Sequence, residues 1–111
     1  MDNVAYKVLA AGELAELLRG GWRGTALDRQ DGFIHLSAAG QLTETVDTHF
    51  AGSTDLVVAA IDLAALGGAV RWKVSRGGAL FPHLYGELPA AAVLAHAPLG
   101  RDATGEVRRP A

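Results

Sequence analysis

The feature that most restricts the fold is Leu56-Val-Val-Ala-Ala-Ile61, an uninterrupted apolar run framed by Asp55 and Asp62. A run of strand length with no polar break fits a strand covered on both faces, so it is expected to be the most buried strand of the domain. No apolar run in the chain approaches the roughly 20 residues a bilayer crossing needs. With 111 residues, half of them hydrophobic, the chain can bury one core without covalent staples. Residues 1–100 are therefore expected to form a single α+β domain. Residues 101–111 are polar and expected to fray.

The other elements arrange themselves around this run. Val4, Tyr6 and Val8 alternate as in a half-buried strand, and Leu14, Leu17 and Leu18 then take helical spacing. Gly20-Gly-Trp-Arg-Gly24 ends that helix and opens a connection reaching Asp31-Gly32, long enough to suggest function. Phe33 to Leu36 reads as a second strand, with Ser37 placed to cap a helix whose stripe is Leu42, Val46 and Phe50. Asp62 to Gly68 reads as a helical turn. Val70 to Val74 and the Phe81-Pro-His-Leu-Tyr segment read as a hairpin around Ser75-Arg-Gly-Gly78. Pro82 cannot donate to a ladder, so the second arm is expected to be an edge strand or to begin there. One turn over Pro89–Ala92 and a last strand over Val93–Leu99 complete the pattern.

Composition removes several chemistries. The absence of cysteine excludes disulfides, thiolate metal sites and a cysteine nucleophile. The N-terminus lacks the pattern of a secretory signal, and a reducing, cytoplasmic location is the expectation. Ten basic against twelve acidic side chains leave a formal charge of −2, with no overall field for nucleic acid or anionic lipid.

Four histidines, at 35, 49, 83 and 96, supply the groups that exchange protons near neutrality. His35 shares a strand face with Phe33 and Ser37, and His83 shares one with Phe81 and Tyr85. If those faces converge, aromatic, imidazole and hydroxyl groups line one pocket of the kind that holds small ligands. The bland reading makes each imidazole a core group bonded to backbone. His49 is expected to pack inward from its helix stripe, and His96 has no companions. No histidine pair has the spacing of a zinc site, and none is expected. Arg71, Arg76 and Gly77 offer charge and a close backbone approach for an anion, although Gly-Gly between strands more often makes a tight turn. Neither Ser37 nor Ser75 has a nucleophile elbow, and the carboxylates are too scattered for a glycosidase pair.

Asp31-Gly-Phe-Ile-His-Leu-Ser37, Gln41, His49-Phe50, Arg71-Trp72, Ser75-Arg-Gly-Gly78 and Phe81-Pro-His-Leu-Tyr-Gly86 together resemble the bacterial family named domain of unknown function 952. The resemblance covers about residues 5 to 98. It implies an ADP-ribosyltransferase-like α+β fold, with small antiparallel or mixed sheets and two or three short helices around an NAD-binding cleft. It further implies that His35 holds a ribose and that His83 or Tyr85 forms part of the nicotinamide wall. Lys73 stands where members commonly carry glutamate after Arg-Trp, and Glu87 is the only acid close behind the second motif.

The resulting expectation is a nucleotide- or NAD-type ligand cleft, extending to transfer at a ribose. His35 and His83 are its catalytic candidates, and Ser37, Arg71, Trp72, Arg76, Gly77, Phe81 and Tyr85 its ligand-binding ones. NAD is the substrate or ligand so implied, and no cofactor or metal is required by the residues. The alternative is a non-catalytic module that recognises a metabolite or another protein.

Overall fold

The computed structural model describes residues 3–110, the side chain of Arg76 excepted. Its strands are β1 (Val4–Ala10), β2 (Ile34–His35), β3 (Leu56–Asp62), β4 (Val70–Val74), β5 (Leu80–Leu84) and β6 (Val93–Pro98). The helices are α1 (Ala11–Arg19), α2 (Ala26–Asp31), α3 (Leu42–His49) and α4 (Leu63–Leu66). Pairing gives two antiparallel three-stranded sheets, β1-β3-β6 and β2-β5-β4. The fold is thus α+β, with four short α-helices rather than two or three. None of the described helices is long and apolar enough to cross a membrane.

The apolar run is β3, the central strand of the first sheet. Its alternation divides it between two cores: Val57, Ala59 and Ile61 face one, Val58 and Ala60 the other. A strand covered on both sides has no position for a polar residue, which is why the run is unbroken. β1 is likewise covered on both faces and is not half-buried as its sequence suggests, although it buries one lysine, Lys7. Tyr6 and Val8 join Leu42 and Val46 of α3 in one core, while Ala5 and Leu9 join Leu17 of α1 and the inner face of the second sheet.

That second sheet contains the expected hairpin, β4 and β5, turning through glycines at φ 64° and 79° (Gly77 and Gly78). β5, however, is the middle strand and not the edge that Pro82 suggested. The proline is accommodated because β2 is only two residues long. The amide of Leu36 donates to the carbonyl of Pro82 at 3.1 Å, and Pro82 has no N–H with which to return the bond. The β2 ladder ends there.

Three further expectations are corrected. The connection after Gly24 contains α2, started by a capping box in which the Thr25 hydroxyl accepts from the Asp28 amide and Asp28 accepts from the Thr25 amide. Gly24 sits at φ 97°, and a Cβ there would lie 2.6 Å from the Asp28 carboxylate, so only glycine lets the chain turn so close. Ser37 caps no helix; it bridges to Tyr6 as a β-pair and shares a 2.8 Å hydrogen bond with Thr45. The expected fraying of the tail does not describe residues 101–107. Arg101 bridges to Val107, its guanidinium donates to Asp47 at 2.7 Å, and Val107 is buried in the second core.

Val107→Ala is expected to lower the unfolding free energy by about 1–2 kcal/mol, since it withdraws two buried methyl groups. Urea denaturation measures this directly. An unchanged midpoint would show that the tail contributes nothing to the core.

Candidate functional site

The register of the second sheet assembles the sequence motifs on one face. His35 of β2 lies opposite His83 of β5, which lies opposite Arg71 of β4, and Phe81 lies opposite Lys73. Cross-strand partners share a face, and residues two apart along a strand do too. Phe33, His35, His83, Phe81, Tyr85, Arg71 and Lys73 therefore belong together. The alternate residues Ile34, Leu84 and Trp72 pack into the first core. Trp72 is half-buried against that core and does not line the cleft, unlike its expected place in the ligand site.

Phe33 is the hub of the aromatic contacts. Its ring stacks on His83 with centroids 4.0 Å apart and planes 14° from parallel, and lies 4.5 Å from His35 and 5.5 Å from Tyr85. The two imidazoles are 5.8 Å apart, centroid to centroid. Arg71 places its guanidinium 5.7 Å from the Tyr85 ring centroid.

His35 is fixed by a clamp that sequence reasoning missed. Asp28, only 1% exposed, accepts from the His35 ring at Nδ1 (2.6 Å) and from the His35 amide (3.1 Å) with one oxygen. Its other oxygen pairs with Lys7 at 2.8 Å and accepts from the Thr25 amide at 2.9 Å. Lys7, 5% exposed, also donates to the His35 carbonyl at 3.0 Å. Burial alone would raise the pKa of Asp28, but the His35 hydrogen bond and the Lys7 charge outweigh it and hold the carboxyl well below the usual range. Burial lowers the Lys7 pKa, and Asp28 opposes that shift.

The other ring nitrogen of His35, Nε2, lies 2.9 Å from a carboxylate oxygen of Asp31. The ring is thus held between two carboxylates, one at each nitrogen. His83 is in the opposite condition. It is 6% exposed, and its buried Nδ1 has no hydrogen-bond partner among the described residues. Burial, then the neighbouring His35 and Lys73, push its pKa below the ordinary imidazole value.

Beside this face runs a cleft of about 820 Å³, walled by α2, α3 and β1. His35, Ser37, Phe81 and His83 line it, with Lys7, Asp28 and Asp31 from the clamp. Arg71 and Tyr85 stand outside the lining, beyond Phe33, and Gly77 is at the exposed hairpin tip. The side chain of Arg76 lies outside the described residues. Glu87 does not reach the cleft; it borders a second one, of about 600 Å³, and stands 3.8 Å from Arg23. His49 is exposed at the end of α3 and faces the larger cleft instead of packing inward, and His96 is exposed on β6. No group of three or more ligating side chains among the described residues is arranged to hold a metal ion.

Lys7 and Asp28 carried signals that could have found them. A lysine inside an apolar strand between Tyr6 and Val8 must be paired, and Thr25-x-x-Asp28 is a capping box inside a stretch read as loop.

Lys7→Met leaves Asp28 buried without its cation and is expected to cost about 3–5 kcal/mol, the usual penalty for halving a buried pair. The double variant with Asp28→Asn should recover part of that loss in denaturant titrations. A single variant as stable as the parent would refute the clamp. For His83, folding lowers the pKa, so the unfolded chain binds more protons below about pH 6.5. Stability that is full above that value should fall as the pH drops, and His83→Phe should remove this part of the loss. Asp28, depressed instead from about 3.9, keeps its contribution above that pH and loses it only in stronger acid. An NMR titration placing His83 at or above about 6.5 would contradict the assignment.

Comparison with known proteins agrees with the motif assignment. The family model described as "Protein of unknown function (DUF952)" matches residues 8–96. The crystal structure of protein CC0527 from Caulobacter crescentus is similar at 42% identity with a TM-score of 0.84, covering 95% of this chain and 93% of that one. The solution NMR structure of CC0527 is similar at 42% identity and a TM-score of 0.78, covering 96% and 91%. No curated protein matches the sequence. With most of its length inside the family model and two close structural matches, the chain belongs to the DUF952 family of proteins of unknown function.

Proposed function

We propose that the cleft binds a ribose-bearing small molecule of nucleotide or NAD type. One observation carries the reading: two imidazoles, 48 positions apart in sequence, stand 5.8 Å apart and line the same cleft. A volume of about 820 Å³ falls within the range of small-ligand pockets, about 300–1,000 Å³. Phe81 and Leu27 give it apolar wall, while the Ser37 and Thr45 hydroxyls and the acids of the clamp offer partners for ribose oxygens.

On this reading the architecture is ADP-ribosyltransferase-like, with two small antiparallel sheets beside a cleft, and the reaction class is transfer at a ribose. Asp31, held in place by His35 Nε2, offers a carboxylate oxygen that accepts from a ribose hydroxyl. Asp31 is the carboxylate at hand to steady positive charge developing at the anomeric carbon. The lack of cysteine suits a reducing cytoplasmic location.

A specific observation favours the second reading, a binding module without chemistry. Both nitrogens of His35 are already engaged by carboxylates, which leaves no free lone pair to act as a base. The two readings share the site and differ in whether a bond changes.

Thermal-shift measurements with NAD, ADP-ribose, AMP and adenosine test the site. A ligand at about 100 times its Kd adds about 2.7 kcal/mol and should raise Tm by on the order of 10 °C. His83→Ala and His35→Gln should each weaken binding about tenfold or more, with circular dichroism unchanged. No shift with any of the four, or variants that bind like the parent, would overturn the proposal. Mass spectrometry of the bound ligand after hours separates transferase from module.

A further inference from the structure

Charge changes sign across the outer face of the second sheet. On the β2 side stand Asp28 and Asp31, flanking His35, and Glu13 adds a third carboxylate to the cleft lining. The one lysine of that lining, Lys7, is already committed to Asp28 and to the His35 carbonyl. No arginine lines the cleft among the described residues. This interior repels an anion.

The opposite side is basic. β4 is an edge strand, and its Arg71 and Lys73 lie in register with His83 and Phe81, two residues that line the cleft. Both cations are exposed, and neither forms an ion pair among the described residues. His83, between the two sides, feels both: Lys73 disfavours its proton and Asp31 favours it. Two strand spacings, about 10 Å, separate β2 from β4. That is the reach of a nucleoside monophosphate laid across the strands.

Resting on the ribose-cleft reading, we propose that the ligand is bipolar across this face: an uncharged or cationic, hydroxyl-bearing part lies against His35 and Asp31, and a phosphate group is held at the β4 rim by Arg71 and Lys73. Lys73 then determines specificity, since it is the cation in register with the apolar wall at Phe81. An exposed cation acts mainly through a charge-assisted hydrogen bond, and salt screens it.

The test is calorimetric titration at low ionic strength with two matched pairs, nicotinamide riboside against nicotinamide mononucleotide and adenosine against AMP. Each pair differs by one phosphate. The phosphorylated member should bind about tenfold tighter, the contribution of one charge-assisted bond. Lys73→Glu should reduce that advantage below about threefold or reverse it, leaving the nucleoside affinity within about twofold. The arrangement is overturned if the phosphate brings no advantage, if Lys73→Glu leaves the advantage intact, or if it weakens both members equally. Binding without phosphate preference removes only this arrangement. Failure of all four compounds to bind removes the ribose-cleft reading beneath it.

Discussion

The buried carboxylate of Asp28 is the interaction on which the site depends. It joins three parts of the chain: β1 through Lys7, the start of α2 through Thr25, and β2 through His35. Taking a carboxylate and an ammonium out of water is costly, and it is tolerated only because every oxygen of Asp28 finds donors. The lysine and the histidine compensate each other through it. The result is an imidazole whose orientation is set from both the ring and the backbone, a degree of fixation that packing alone does not supply.

That fixation matters because the second sheet turns its motif residues outward together. The face that holds Ile34, Leu84 and Trp72 closes the first core, so alternation leaves Phe33, His35, Phe81 and His83 on the other side. The pair of histidines differ as a consequence of their neighbours. His35 is surrounded by carboxylates, while His83 lies under Phe33 with an unpartnered nitrogen and a lowered pKa. One ring is tied to a carboxylate at each nitrogen and the other keeps an unpartnered nitrogen, so the two differ in their hydrogen bonding.

Much of the framework was legible in the chain, for reasons that differ by element. The β3 run, the β4–β5 hairpin and the β6 strand announce themselves by local pattern, and the structure contains each. The two similar motifs around His35 and His83 point to one shared pocket if their faces converge, but not to the direct strand pairing that brings them together. What local pattern could not carry was tertiary. Pro82 is tolerated centrally because its neighbour strand stops short, a fact about β2 and not about the proline. Trp72 alternates onto the core face only once the register is known, and His49 is exposed because α3 ends there. Val107 belongs to the core through the turn preceding it, where Asp102 accepts from Thr104 and Glu106, an arrangement that composition reads as a polar tail. Lys7 and Asp28 each leave a local signal, a lysine in an apolar strand and a capping box, but only the fold brings the two together as a clamp.

The central claim is that both imidazoles address one bound molecule. Ligand titration followed by nitrogen-15 NMR of the histidine side chains tests it most directly, because each ring nitrogen reports its own hydrogen bonding. The account predicts that the His35 and His83 resonances shift together along one binding curve, while His96 stays still. Movement of one ring without the other, or of neither while the ligand is bound, would contradict it.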